Sequence, residues 1–384
     1  MRVCFISHSA ERYGAELALL ELIKGLIKLG FICMVLVPKK GPLLAELDSL
    51  NVEWRIIPYP VWMSRPKWLP YRIGRTLKTL LTAIYIAGVI KRWGCDIVYT
   101  NTVVVGVGAF AARLARRPHV WHSHESAYHN PDQKFDLGKR CVTYLMDHFS
   151  QMIIVTSKSV EEDYKRYLGM EKLRVIYQSV TLPEEIAHTS SLVDATLFFQ
   201  CIMIGSLHPW KGQDEAIFAL AELVHRGVNA HLLIVGDGGK RFRVKLLQQI
   251  VDHGLQQHVK FHGYAENPAS LIRAADVVLV CSRWEAFGRV AVEAMLTGKA
   301  LIGSARGATS ELIQDGETGL MYEWGNHTKL ADKIQYLHDN PGERARLGNN
   351  ARKWAESRFT QERYAEEVGN LLFEVVAKAN LSKV

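Results

Sequence analysis

The stretch SRWEAFGRVAVEAMLTGKALIGSARGATSELIQDGETGLMY, residues 282–322, sets two glutamates, Glu285 and Glu293, on either side of a Phe287-Gly288 pair. The run from Val290 to Leu296 reads as a helix that starts just behind that turn. At about 3.6 residues per turn, such a helix carries Glu293 to the side that Glu285 approaches from the preceding loop, so the two carboxylates can grip one ligand. A helix N-terminus adds free N–H groups and the positive end of a dipole, which suits a phosphate or diphosphate. Carboxylates for hydroxyls beside an anion site point to a nucleotide sugar. The plainer alternative leaves both glutamates as solvated charges at a helix end.

Outward from this stretch, apolar runs at 2–7, 31–37, 96–100, 118–122 and 152–156 alternate with helical segments, the first being the amphipathic GAELALLELIKGLIKLG that opens at Gly14. Alternation of this kind specifies the α/β class, a parallel sheet covered on both faces in a doubly wound domain. A polar run, 184–196, interrupts it and reads as a linker. The pattern resumes at 199–205, 231–235, 259–263 and 276–281. A chain of 384 residues exceeds what one core supports, so two domains are expected, 1–185 and 196–359. Trp354, Phe359 and the amphipathic 361–376 read as terminal helices. Gly106-Val107-Gly108 lacks the third glycine and downstream acid of a dinucleotide fingerprint and reads as helix packing.

Hydrophobic residues make up 48% and charged residues 22%, the balance of an ordinary globular protein, which sets aside disorder and low complexity. Six cysteines, Cys4, Cys33, Cys95, Cys141, Cys201 and Cys281, show no CxxC spacing and read as buried, reduced thiols of a cytosolic protein. Residues 1–14 contain no apolar stretch of the secretory kind, so a cytoplasmic location is expected.

The net charge of +8 is uneven: residues 1–185 hold 25 Lys+Arg against 17 Asp+Glu, and the remainder holds 22 of each. The first half alone therefore calls for an anionic partner. Between Glu53 and Asp96 there is no acid at all, while Arg55, Arg65, Lys67, Arg72, Arg75, Lys78, Lys91 and Arg92 interleave with Trp54, Tyr59, Trp62, Trp68, Tyr71, Tyr85 and Trp93. Cations with interfacial aromatics suit an anionic membrane surface, and the apolar part, 80–90, is too short to span a bilayer. A basic surface helix packed on its own domain is the alternative. No nucleic-acid motif accompanies the charge, so nucleic acid is not an expected partner.

Residue by residue, the glutamate pair, the FG turn, the Glu293-Ala294-Met295 that follows Val292, Gly303, Gly307 and the DGETGL run at 315–320 resemble the donor-binding signature of the family 4 retaining glycosyltransferases. That resemblance implies the GT-B fold, two doubly wound Rossmann-like domains facing a central cleft. The first would bind the acceptor, the second the donor, and a tail at about 360–384 would pack back on the first. It implies retaining transfer of a hexose-type sugar from a UDP- or GDP-linked donor to a lipid-linked or polysaccharide acceptor at the cytoplasmic membrane face. No cofactor and no metal are expected, in keeping with the absence of any Asp-x-Asp.

On the same resemblance, Gly14, Gly205, Ser206, Lys211, Gly263, Phe287, Gly288, Arg289 and Glu293 correspond to donor-binding positions, and His124, Lys211 and Glu285 to catalytic ones. His124 follows a strand at its carboxyl end, where open α/β sheets bind ligands; His122 is expected on the opposite side of the extended segment. Three positions depart from the family pattern: Tyr13 stands for a glycine, Ser206 for an arginine, and Gln178-Ser179 for an Asn-Gly turn. A non-catalytic nucleotide-binding scaffold, or a sugar-nucleotide epimerase or hydrolase on the same fold, are the rival readings.

Overall fold

The computed structural model describes residues 1–64, 68–126, 134–182 and 198–381. The run read as a linker, 184–196, and the cations Arg65 and Lys67 lie outside the described residues. The chain divides into two compact units, Met1–Ser179 with Thr360–Val384, and Val180–Phe359.

Unit 1 runs β1 (Arg2–Ser7), α1 (Gly14–Lys28), β2 (Ile32–Val37), α2 (Leu43–Ser49), β3 (Glu53–Ile56), β4 (Met63–Ser64), α3 (Leu69–Arg92), β5 (Ile97–Asn101) and α4 (Val107–Ala115). It continues through β6 (His119–Ser123), β7 (Lys134–Phe135), α5 (Lys139–Phe149), β8 (Met152–Val155), α6 (Lys158–Lys165) and β9 (Leu173–Val175). Seven strands form a parallel sheet in the order β3-β2-β1-β5-β6-β8-β9, with Val3 paired to Cys33 on one side and Ile97 on the other. Every residue of β5 and β6 is buried, which is why these strands read as unbroken apolar runs rather than alternating ones. On one face α3 and α4 cover Cys4, Ile6 and Val98 with Ala83, Ile86, Ile90 and Ala111. Gly108 belongs to this packing, since a Cβ there would sit 2.1 Å from Thr100 Oγ1.

Unit 2 runs β10 (Phe199–Ile204), α7 (Gln213–His225), β11 (Ala230–Val235), α8 (Lys240–Asp252), β12 (Val259–Gly263), α9 (Ala269–Ala274) and β13 (Val277–Val280). It is completed by α10 (Arg289–Leu296), β14 (Ala300–Ser304), α11 (Thr309–Leu312), β15 (Leu320–Tyr322), α12 (His327–Asp339) and α13 (Pro341–Glu356). Its six strands are parallel in the order β12-β11-β10-β13-β14-β15. The last helix, α14 (Gln361–Leu381), belongs to unit 1. There Tyr364, Val368 and Leu372 complete a core with Leu19, Leu22 and Leu26 of α1. The two helices touch so closely that a Cβ at Gly25 would lie 2.5 Å from Ala365 Cβ.

The structure revises three readings. Cys141 is exposed on α5 while the other five cysteines are buried, because the amphipathic helix turns its position outward. In the acid-free segment, Tyr59, Trp62 and Trp93 are core residues, and Asp136, distant in sequence, accepts from Arg72 through its carbonyl and pairs with Arg75 through its carboxylate. Finally, the apolar part 80–90 lies inside a helix of 24 residues, the one helix among the described residues with the length and composition to cross a membrane; a third of its most apolar window is buried within the unit. Its outward face carries Leu69, Leu77, Leu81, Ile84 and Tyr85, each more than half exposed.

Candidate functional site

In unit 2 the loops at the carboxyl ends of β10, β11, β12 and β13 meet backbone to backbone. A Cβ at Gly236 would lie 2.1 Å from the Gly205 carbonyl, and one at Gly212 (φ 72°) 2.1 Å from the Cys281 carbonyl, so only glycine permits either approach. Gly263 (φ 86°) ends β12, and its carbonyl accepts from Gly236 N–H at 2.7 Å. Between Gly205 and Gly212 the chain folds on itself: buried Gln213 donates its amide to the carbonyl of exposed Ser206 at 2.9 Å.

Lys211 leaves this loop toward Glu285. Its Nζ lies 2.5 Å from Glu285 Oε1, and the same oxygen accepts from Ser282 Oγ at 2.5 Å. The glutamate backbone is fixed as well, with its carbonyl accepting from Ala308 N–H at 2.9 Å and Gly307 (φ 57°) pressed against it. Glu285 is thus held by a cation, a hydroxyl and a neighbouring turn. Gly288, left-handed at φ 89°, caps α10, and the first turn of that helix contains no acid to occupy its N–H groups. Phe287 is buried and packs edge-on against Phe359, anchoring the turn. Arg289 opens the helix, and Glu293 follows just past its first turn, half buried.

Sequence reading missed Arg283. Its guanidinium sits between the rings of Trp210 and Trp324, 5.0 and 5.1 Å from their centres, and the backbone N–H of Arg283 donates to the Trp210 carbonyl. The tryptophan in HPWKG was the available signal, since a guanidinium favours an indole face.

Gly14 and His124 lie in unit 1, the other candidate residues in unit 2. Gly14 opens α1 behind Tyr13, whose extended backbone (φ −93°) accepts a side chain without strain. His124 stands just beyond β6, buried, and both its ring nitrogens are engaged by amides. Asn101 donates its Nδ2 to the Ala15 carbonyl, which leaves its Oδ1 to accept from His124 Nε2–H at 2.6 Å. Gln178 donates its Nε2 to His124 Nδ1 at 2.8 Å. These partners orient the ring, with Nε2 donating to Asn101 and Nδ1 accepting from Gln178. Gln178, one of the departures noted above, is therefore part of the histidine's support, and its Oε1 is buried without a hydrogen-bond partner.

His122 does not face away from His124. Their rings lie 4.0 Å apart, because residues two apart on an extended segment share a face. Burial holds His122 at a pKa of about 3, so it is neutral, and its Nδ1 bonds the Tyr99 hydroxyl. Next to this pair, burial pushes the Glu125 carboxyl up to about 7, opposed by a Val103 N–H and reinforced by the charge of Glu16. Glu16 itself is almost fully buried, accepting from Ser9 Oγ at 2.5 Å with His8 Nε2 at 3.2 Å.

Chemically, unit 2 offers a cation, the start of helix α10 and a fixed carboxylate around one set of loops, and unit 1 offers an oriented imidazole. Comparison with known proteins points the same way. Residues 197–354 match the family model of glycosyl transferases group 1, and residues 13–182 that of glycosyltransferase family 4. The chain is 32% identical over 184 residues to the N-acetyl-alpha-D-glucosaminyl L-malate synthase of Bacillus anthracis, a match that spans 48% of this chain and 47% of that protein. It is 26% identical over 373 residues, 91% of both chains, to an uncharacterised glycosyltransferase of Methanocaldococcus jannaschii. Among solved structures, HepE of Anabaena in complex with UDP-glucose superposes with a TM-score of 0.82 at 26% identity, covering 97% of this chain and all of that one.

Proposed function

The chain belongs to the family 4, group 1 glycosyltransferases, of GT-B fold, and from that premise we propose that it transfers a hexose-type sugar, with retention of configuration, from a UDP- or GDP-linked donor to a lipid-linked or glycan acceptor. Unit 2 takes the donor and unit 1 the acceptor. The observation that carries this reading is the Lys211–Glu285 pair at the foot of α10, fixed by Ser282 and Gly307. Lys211 and the N–H groups at Gly288 and Arg289 meet the charge that develops on the departing diphosphate, where preorganised positive groups lower a barrier most. Glu285 binds sugar hydroxyls, Glu293 the ribose, and His124 holds the sugar or acceptor in place. No metal ion takes part.

The UDP-glucose bound to HepE supports a nucleotide-sugar donor. The basic, apolar outer face of α3 supports action at an anionic membrane surface on its cytoplasmic side. A thermal-shift screen of UDP, GDP and their sugars, followed by NMR of the product's anomeric signal with and without EDTA, tests the proposal. Stabilisation by one nucleotide sugar and an α-product from an α-donor, unaffected by EDTA, is expected. Release of free sugar with no acceptor dependence would instead indicate a hydrolase. Co-sedimentation with anionic vesicles at low salt checks the membrane contact, and absence of binding there removes it.

A further inference from the structure

Three arginines at the end of α4, Arg113, Arg116 and Arg117, line a cavity of about 430 Å³ together with His148 and Phe149 from the last turn of α5 and Gln151 just before β8. It lies where β6 and β8 begin. His124 stands at the other end of β6, and five strand residues at about 3.3 Å each put roughly 15 Å between the two places. The cavity is therefore separate from the groups assigned to transfer.

No carboxylate pairs with any of the three guanidinium groups among the described residues, and Arg117 Nε is buried with no hydrogen-bond partner. Elsewhere in unit 1, Arg75 pairs with Asp136 and Arg55 with Glu53. The acids closest in sequence to the lining residues are engaged elsewhere, Asp147 with Lys172 at 3.5 Å and Glu374 with Lys378 at 2.5 Å. Three like charges gathered at one cavity repel unless an anion lies between them. Gln151 accepts the His119 N–H through its Oε1 at 2.7 Å, which orients its amide NH₂ as a further donor.

The backbone adds a second observation. α1 and α3 are followed by Gly30 (φ 80°) and Gly94 (φ 63°), the residue type that takes a left-handed turn at no steric cost. α4 makes its left-handed turn on Arg116 (φ 56°, ψ 43°). An arginine stands where glycine folds more easily.

We propose that this cavity binds a phosphoryl-bearing anion through Arg113, Arg116 and Arg117. Guanidinium forks match phosphate oxygens two at a time, and three forks suit a ligand with more than one phosphoryl charge. The ligand is either a soluble phosphoester or the head group of an anionic lipid.

The test titrates the full chain, saturated with UDP to fill any donor site, with inorganic tripolyphosphate by calorimetry, and separately with phosphatidic acid in phosphatidylcholine vesicles. Arg116→Gly and Arg117→Gln remove lining charges, and Lys353→Ala removes an equal charge from the exposed side of α13 in the other unit. Arg116→Gly relieves the left-handed strain, so its melting point is expected at or above the parent's, which separates lost binding from lost folding. The proposal requires the two arginine variants to weaken binding roughly tenfold while Lys353→Ala changes it less than about twofold. That pattern with tripolyphosphate identifies a soluble phosphoester, and the same pattern with vesicles alone identifies a lipid head group. If neither probe binds, or all three variants lose equally, the proposal is overturned.

Discussion

Lys211 and Glu285 form a partly buried ion pair, with the lysine side chain 34% exposed and the glutamate 14%. Solvent screening makes the pair a modest contributor to stability. Lys211→Ala is expected to lower kcat by about 10²–10³, the cost of losing one preorganised donor to a developing oxyanion, with little change in melting point. Steady-state kinetics beside a melting curve would check this, and activity within threefold of the parent would sink the assignment. Gln178 permits a different experiment. Gln178→Glu places a carboxylate against His124 Nδ1, where the amide now donates, and so favours the doubly protonated ring. A new acid-side limb in the pH–rate profile is expected, and an unchanged profile would mean that the tautomer of His124 is irrelevant to turnover. The departure at 178 was plain in the sequence, but its meaning was not, because its partner is 54 residues away.

Among the elements, β6 carries two buried neutral bases, His119 and His122, each held at a pKa of about 3 by burial. In the unfolded chain a histidine titrates near 6.5, so between about 3 and 6.5 the unfolded state binds more protons and stability falls as pH falls. Each contributes a slope of about 1.4 kcal/mol per pH unit in that window. Glu125, raised to about 7, acts in the opposite sense between about 4.5 and 7, so one histidine's slope is offset there and both act fully only below it. Denaturant midpoints measured from pH 7 to 4 should drop with increasing steepness, and less so in His122→Gln. In unit 2 the turn behind Glu285 is just as specific. A methyl group at Gly307 would sit 2.4 Å from the Glu285 carbonyl on a left-handed backbone. Gly307→Ala should cost about 1–3 kcal/mol and reduce turnover as well, since the carboxylate moves with its backbone; a stable, fully active variant would show that Glu285 tolerates displacement. Strands and helices were legible because strands buried on both faces leave continuous apolar runs. The partners of the cations on α3 were not, since Asp136 reaches Arg72 and Arg75 from across the unit.

At the scale of the whole molecule, α14 decides whether unit 1 holds together. Tyr364, Val368, Leu371, Leu372 and Val375 lie in the core of unit 1 beside α1. At about 1.5–3 kcal/mol for each buried side chain, their loss removes on the order of 10 kcal/mol, as much as most domains have in total. A chain ending at Phe359 should therefore lose hydrogen-exchange protection throughout residues 1–179 while residues 198–359 keep theirs, as exchange mass spectrometry would show. Protection in both regions would mean that unit 1 stands without its last helix. The amphipathic pattern of 361–376 announced a helix, and the resemblance, rather than the pattern, said which unit it joins.

Because the contacts of Gly25 with Ala365 bridge 340 residues of chain, the order of synthesis matters. Residues 180–359 emerge from the ribosome as a complete unit while 1–179 still await α14. Translation at about 5–20 residues per second leaves the first half without its closing helix for roughly ten seconds or more, exposing the apolar side of α1. The usual order, in which the amino-terminal part matures first, is then reversed. The nascent α1 face, rather than any surface of the finished enzyme, is where a chaperone would be needed.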